Sequence, residues 1–400
     1  MYFFFLIIPI CKAKIEPMEN ENAKTKKPLT RFGEFELLKA IAIMGLPAVH
    51  LMEEAMEGGF ASNGLTKFGT GIVGLCAFGP SVFMMCMGFG MGGTRVMKPQ
   101  AARKNGIMFL QIGVILNIFR WLIPGIIQAL VIKTPLINDV NFCLQSDIYY
   151  FVGIFYLFYA ILLKLKVKTP GLVMFSVLTL TLNTALTPYT SKYITNDIVA
   201  SLLGNIVYVD ETSCFPLLSW AIFPSVGILL GEVLKKSDEE QRENIMRRMF
   251  DFSAVLFLSF TVFLYTYKIS IMKALVSPAN EYITDLPNVI LLLSLALFLI
   301  ALTYYLCKHI GSSKFMAYML KISTYIVPFY LLQWVIIAWI FYALTIFRAP
   351  EGCYGLGIYF VCVVVVTTVC AIISTKHGMK LMKLVLRITN LKKKRKKTKA

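Results

Sequence analysis

Histidine is almost missing from this chain, with three residues in 400: His50, His309 and His377. That scarcity excludes a His-rich metal centre. The nine cysteines are too sparse for a disulfide scaffold and show no close Cys/His spacing of the zinc kind. Charge is scarce as well: only 16% of residues are charged, and 22 acidic side chains face 40 basic ones, a net charge of +18. A soluble domain carries about 25% charged and about 45–50% apolar residues. Here 57% are hydrophobic and mean hydropathy is +0.69, so neither an ordinary soluble domain nor a disordered chain fits. Repeats of 20–50 residues are missing, and so is the inverted-repeat symmetry of many transporters.

What the chain has in abundance is long apolar runs. Ten stretches reach or approach the 18–25 residues needed to cross about 30 Å of hydrocarbon: 36–56, 69–93, 106–131, 147–163, 170–188, 214–234, 251–272, 288–307, 319–345 and 355–375. The loops between them alternate in charge. Lys24, Lys26, Lys27 and Arg31 precede the first run, Arg95, Lys98, Arg103 and Lys104 follow the second, and the even-numbered loops and the C-terminal tail stay basic. The odd-numbered loops carry Asp139, Asp197, Asp210, Glu211, Glu281 and Asp285. About 33 of the basic residues fall on one side and about 6 on the other, which by the positive-inside rule places both termini in the cytoplasm.

The sequence therefore predicts an all-α polytopic helix bundle in the cell membrane, with about ten transmembrane helices and an N-in/C-in topology. A cytoplasmic tail occupies 1–31, the membrane domain 32–375, and a basic cytoplasmic tail 376–400. Residues 2–10 are apolar but too short to span and lack the features of a cleaved signal. The +18 surplus reads as a record of insertion and attraction to lipid headgroups, not as a nucleic-acid footprint. The stretch 235–250 reads as a short amphipathic helix bridging the sixth and seventh spans.

Ionisable side chains inside a bilayer are costly, so each one is a candidate for function. The first span is the richest, with Glu36, Lys39, His50, Glu53, Glu54 and Glu57. At 100° per residue Lys39 and His50 share one face, about 16 Å apart along the axis, and Glu54 lies one turn beyond His50, close enough to orient an imidazole. Pro47 would loosen the helix at that point. In the third span Asn117 and Arg120 reach the depth of His50, where an arginine needs a carboxylate, a carbonyl or an anionic ligand. Gln333 in the ninth span reaches a similar level. Asn183, Lys268 and Trp220 are weaker candidates, read as helix packing or interface anchoring ahead of function. The Met/Gly-rich second span reads as a close-packing surface.

The segment FGEFELLKAIAIMGLPAVH (32–50) resembles the first-helix motif of the integral-membrane acyltransferase superfamily, which covers the acyltransferase-3 family and the heparan-α-glucosaminide N-acetyltransferase-like proteins. That motif has an acidic residue, Arg three positions on, and His eleven positions after the Arg. Glu36, Lys39 and His50 keep both spacings, with Glu for Asp and Lys for Arg. FMMCMGFGMGG (83–93), KNGIMFLQIGVILN (104–117), FPLLSWAIFPSVGILLGEVL (215–234) and STYIVPFYLLQW (323–334) resemble later blocks of the same family in the same order. Gln333 stands where many members have His.

The resemblance implies transfer of an acyl group, acetyl by expectation, from cytoplasmic acyl-CoA to a hydroxyl or amine acceptor at the outer face, usually a cell-surface glycan. Under it His50 serves as general base or as acyl carrier, since imidazole starts near working pH. Glu54 fixes its tautomer, and Arg120 stabilises the oxyanion or orients the donor. Lys39, Arg95, Arg103 and Lys104 meet the donor's negative end. Glu36, Asn117, Trp220 and Gln333 are the remaining candidates for substrate contact, and no metal is implied. The competing readings are a transporter or flippase for an anionic solute or lipid-linked substrate, and a lapsed relative that scaffolds a membrane complex.

Overall fold

The computed structural model describes residues 32–76, 78–93, 97–135, 143–144, 147–210, 213–266, 286–310 and 313–389. In chain order the helices are α1 (Gly33–Glu57), α2 (Asn63–Cys76), α3 (Gly79–Met91), α4 (Pro99–Asn117), α5 (Ile123–Ile132), α6 (Ile148–Lys164), α7 (Thr169–Tyr193), α8 (Asp197–Leu203), α9 (Leu217–Trp220), α10 (Ile222–Leu234), α11 (Glu239–Thr266), α12 (Leu286–Ile310), α13 (Lys314–Thr324), α14 (Ile326–Ile346) and α15 (Leu356–Thr389). A π-helical turn at Ile118–Leu122 joins α4 to α5. Among the described residues there is no strand, only an isolated bridge between Ala61 and Tyr354. The fold is an all-α helix bundle.

Eight stretches among the described residues are long and apolar enough to cross a membrane: α1, the α4–α5 run, α7, α9–α10, α11, α12, α14 and α15. The expected second span divides between the end of α2 and α3, and the expected fourth is α6; α3 and α6 are apolar helices of 13 and 17 residues. At about 1.5 Å per residue these are roughly 20 and 26 Å long. The outward faces are greasy: Leu130, Leu178, Val255, Leu258, Val262, Val361 and Val364 are all more than 60% exposed. In water such a belt would aggregate; in a bilayer it faces lipid.

Proline sets most of the breaks. Pro328 cannot continue a helix out of the preceding turn, so the expected ninth span divides at Tyr325 into α13 and α14. Pro80 restarts the chain as α3 after α2, and Pro99 opens α4. Pro47, by contrast, lies inside an unbroken α1. The expected separate helix at 235–250 is the first half of α11. Asp238 accepts from the Gln241 backbone N–H at 2.8 Å while the Gln241 side chain reaches back to the Asp238 N–H, a capping box that starts a helix running on to Thr266. The last residues of the expected seventh span, 267–272, and Lys268 lie outside the described residues.

Lipid offers no hydrophobic drive for helices to associate, so close backbone approach matters more than burial. The tightest pair is α3 with α10. A Cβ at Gly88 would run into the Pro224 carbonyl, one at Gly92 into that of Ile228, and one at Gly227 into that of Met85. The two small-residue rows therefore interlock reciprocally. Lys235, just past α10, donates to the carbonyls of Phe89 and Gly92 and so satisfies the end of α3.

The start of α1 is tied to α11 and α13. Arg242 pairs with Glu34, and the Ser323 hydroxyl donates to Glu36. This end of the bundle, with its many basic residues, is called the basic end below. At the opposite end the turn after α1 pairs with the chain before α15, where the Tyr354 N–H donates to the Phe60 carbonyl at 2.8 Å.

Candidate active site

The ionisable side chains of α1 divide between the two halves of the bundle. At the basic end Lys39 donates to Glu36 at 3.1 Å. His50 lies eleven residues on, about 16 Å further along the axis. The shared face that the spacing predicts thus serves two separate clusters.

The deeper cluster is a stack of flat groups. The His50 imidazole lies on the Trp334 indole, with ring centres 3.7 Å apart and planes 20° from parallel. The Arg120 guanidinium carbon sits 3.2 Å from the centre of the same indole and 4.3 Å from that of Trp121. Two groups so close to one ring cannot share a face without overlapping, so Trp334 is sandwiched between His50 and Arg120. Arg120 also donates to Glu54 at 3.3 Å, so that of the three kinds of partner an arginine at this depth can take, it has a carboxylate. Glu54 thus spends its carboxylate on Arg120, and the His50 Nδ1 is buried with no hydrogen-bond partner among the described residues. The Tyr330 ring lies beside the imidazole, with centres 6.3 Å apart and planes at 89°, and 6.5 Å from the Trp334 ring.

Local sequence explains how Arg120 arrives here. Pro124 has no N–H to give the preceding turn, and the helix answers with a π-helical turn in which the Ile123 N–H bonds to the Ile118 carbonyl. In that register the Phe119 carbonyl would look to Pro124, which cannot donate. The Trp339 indole N–H takes its place at 2.9 Å. The turn carries Arg120 and Trp121 together against α14. Such insertions recur at functional sites.

Several polar atoms around this stack are buried without a partner among the described residues: the His50 Nδ1, the Arg120 Nε and both amide atoms of Gln333, which is completely buried next to Trp334 in sequence. Each such atom costs about 1–3 kcal/mol. Asn117, at the end of α4, donates to the Cys143 carbonyl at 3.1 Å and so ties the π-helical turn to the chain ahead of α6. Trp220 lies in a different aromatic cluster, between Phe215 and Phe223. Arg103 and Lys104 are exposed near the start of α4, where with Gln100, Ile107, Gln111 and Leu386 they line a cleft of about 550 Å³. Arg95 lies outside the described residues. Among the described residues no group of His, Cys, Asp or Glu is placed to hold a metal ion.

Sequence reasoning missed Trp334, Tyr330 and Asp147 as members of this cluster. Tyr330 and Trp334 are four residues apart, so they share a face of α14, and that spacing was the available signal. Asp147 directly before an apolar run has the look of an N-cap, and it is one, accepting from the Tyr149 N–H at 2.9 Å.

The Arg120–Glu54 pair is nearly buried, with side chains 14% and 12% exposed. Replacing Arg120 by Ala should therefore lower stability by about 3–5 kcal/mol, because Glu54 is left without its cation. Arg120→Lys should fall between, since an ammonium keeps the charge but loses the flat stacking. Thermal unfolding of the purified protein in detergent measures this, and an unchanged Tm for Arg120→Ala would show that the pair contributes nothing.

A family model described as an acyltransferase domain matches residues 32–376 of this chain. Comparison with curated proteins and with solved structures returned no match.

Proposed function

The chain belongs to the acyltransferase-3 family and is a multi-pass membrane acyltransferase, and we propose that it moves an acyl group, acetyl in the first instance, from acyl-CoA to a cell-surface or exported glycan. The basic end faces the cytoplasm under this reading, as its Lys and Arg content favours, and both termini lie there. Donor enters from the basic end and the acceptor hydroxyl or amine from the opposite one.

The observation that supports this best is the buried stack, in which an imidazole whose Nδ1 has no hydrogen-bond partner among the described residues lies across the Trp334 ring from a guanidinium, within the stretch matched to an acyltransferase domain. His50 acts as general base. It takes the proton from the acceptor as the acceptor's oxygen or nitrogen attacks the thioester carbonyl. The C–S bond then breaks, CoA leaves as thiolate, and the proton passes from the imidazolium to that sulfur. Arg120, anchored by Glu54, stabilises the oxyanion. Lys39, placed by Glu36, and Arg95, Arg103 and Lys104 hold the donor's phosphates by charge-assisted hydrogen bonds, and the Arg103–Lys104 cleft is roomy enough for one of them. Gln333 and Asn117 contact substrate through their amide oxygens, which have no partner among the described residues.

Thermal stability of the purified protein with and without acetyl-CoA tests the donor. A ligand at about 100 times its Kd stabilises the folded state by about 2.7 kcal/mol, so a clear rise in Tm is expected. Arg103→Gln/Lys104→Gln should require more acetyl-CoA to reach the same rise. No shift at millimolar acetyl-CoA in a well-folded sample would favour a transporter or a scaffold instead.

A further inference from the structure

We infer that Asp147 is a positioning residue for His50, acting through the hydroxyl of Tyr330. The inference rests on His50 being the base.

The His50 imidazole sits in a right-angled corner, with the Trp334 face on one side and the Tyr330 ring, its plane at 89° to the imidazole, on another. Both walls come from α14, four residues apart, but only one is fastened from outside that helix by a hydrogen bond to an acid. The Tyr330 hydroxyl donates to the Asp147 Oδ2 at 3.1 Å, while the Asp147 Oδ1 accepts from the Tyr149 N–H at 2.9 Å. Tyr149 braces the same wall: its ring meets that of Tyr330 at 5.2 Å and 86°, and its hydroxyl donates to the Val327 carbonyl at 3.3 Å. Asp147, Tyr149 and Tyr330 are all less than 9% exposed. The corner is therefore rigid at the Tyr330 hydroxyl as well as at its backbone.

The choice of an aspartate points the same way. An N-cap needs one oxygen, and Ser, Thr or Asn provides it without charge. Burying a carboxylate is expensive unless both oxygens are used. Here the second oxygen is used on the residue that walls the imidazole. Glu54 and Arg120 are occupied with each other, and Glu57, three residues further along α1, neighbours that pair. Asp147 is the carboxylate that a hydrogen bond joins to a wall of the imidazole, at one remove.

The test uses the full chain in membrane vesicles and follows labelled acetyl passing from acetyl-CoA to envelope material. Tyr330→Phe keeps the ring and removes the fastening. It should lower the maximal rate about tenfold or more, since a displacement of about 1 Å at a reacting group can cost up to 10²-fold, with the KM for acetyl-CoA unchanged. Asp147→Ala should do the same, and the double variant should be no slower than either single one, because the two residues act as one unit. Asp147→Asn, whose amide can still accept from Tyr149 and donate to the tyrosine oxygen, should recover most of the rate. A Tyr330→Phe rate equal to wild type, or single losses that multiply in the double variant, would overturn the inference. Retained transfer in His50→Ala would instead remove the base itself, so the two failures are distinguishable. Should Asp147→Ala not fold, Tyr330→Phe and Asp147→Asn, which both keep the helix cap, decide the matter.

Discussion

Exchanging His50 for alanine is expected to lower the maximal rate of acyl transfer by about 10²- to 10⁴-fold, the usual contribution of a general base. Donor binding should survive. Lys39, Arg103 and Lys104 lie on the basic side of His50, Lys39 about 16 Å away along α1, and none of them depends on the imidazole for a hydrogen bond described above. The stabilisation of the protein by acetyl-CoA should accordingly be the same in His50→Ala and wild type. The substitution exposes one face of Trp334, whose other face keeps its contact with Arg120, so the bundle itself should persist. A rate within about threefold of wild type would remove His50 from the chemistry, given the magnitude a base supplies. Loss of the acetyl-CoA effect together with the rate would move His50 from proton transfer to donor binding.

Gly88→Leu should prevent folding altogether. Overpacking a core by side chains costs about 1–3 kcal/mol, because side chains can move aside. At Gly88 the obstacle is the Pro224 carbonyl, which is backbone, and the facing Gly227 meets the Met85 carbonyl in turn. The only relief is separation of α3 from α10, and that would also pull Lys235 from the carbonyls it caps. In lipid nothing else drives these two helices together as strongly as their close fit. Gly90 is the internal control, since a Cβ there would meet nothing within 4 Å. Gly90→Ala should be neutral or mildly stabilising through helix propensity. Size-exclusion profiles and Tm of both variants in detergent measure the difference, and a Gly88→Leu protein with a wild-type profile would refute the interlocking row.

The bundle was legible in the sequence because length and hydropathy alone define a span. Its interruptions were less so. Pro328 and Pro124 look alike in an apolar run, yet one ends a helix and the other is absorbed by a π-helical turn with Trp339 supplying the missing donor. Which outcome follows depends on a neighbour 215 residues away in sequence from Pro124, and no local pattern contains it. The same holds for the site. Spacing and depth located His50 and Arg120 at one level and called for a carboxylate, a carbonyl or an anionic ligand beside the arginine. Glu54 was in view as a partner for His50, because on a helix surface the nearest turn is the obvious neighbour. The structure gives Glu54 to Arg120 from another helix. Trp334 was hidden for a different reason: an aromatic residue in an apolar span has the same sequence appearance whether it faces lipid, packs in the core or separates an imidazole from a guanidinium. Lys39 and His50 do share a face, but shared register fixes direction, not contact.

The most direct measurement of the central claim is acyl transfer itself, in sealed vesicles made from membranes containing the full-length protein. Acetyl-CoA labelled in the acetyl group is supplied on the side of the basic loops, and label is counted in glycan on the other side. Wild type should deposit label there in proportion to time, and His50→Ala in matched amount should not. Label in glycan at equal rates from both proteins would contradict the role of His50, and no label from wild-type vesicles that bind acetyl-CoA and hold envelope glycan would contradict the reaction.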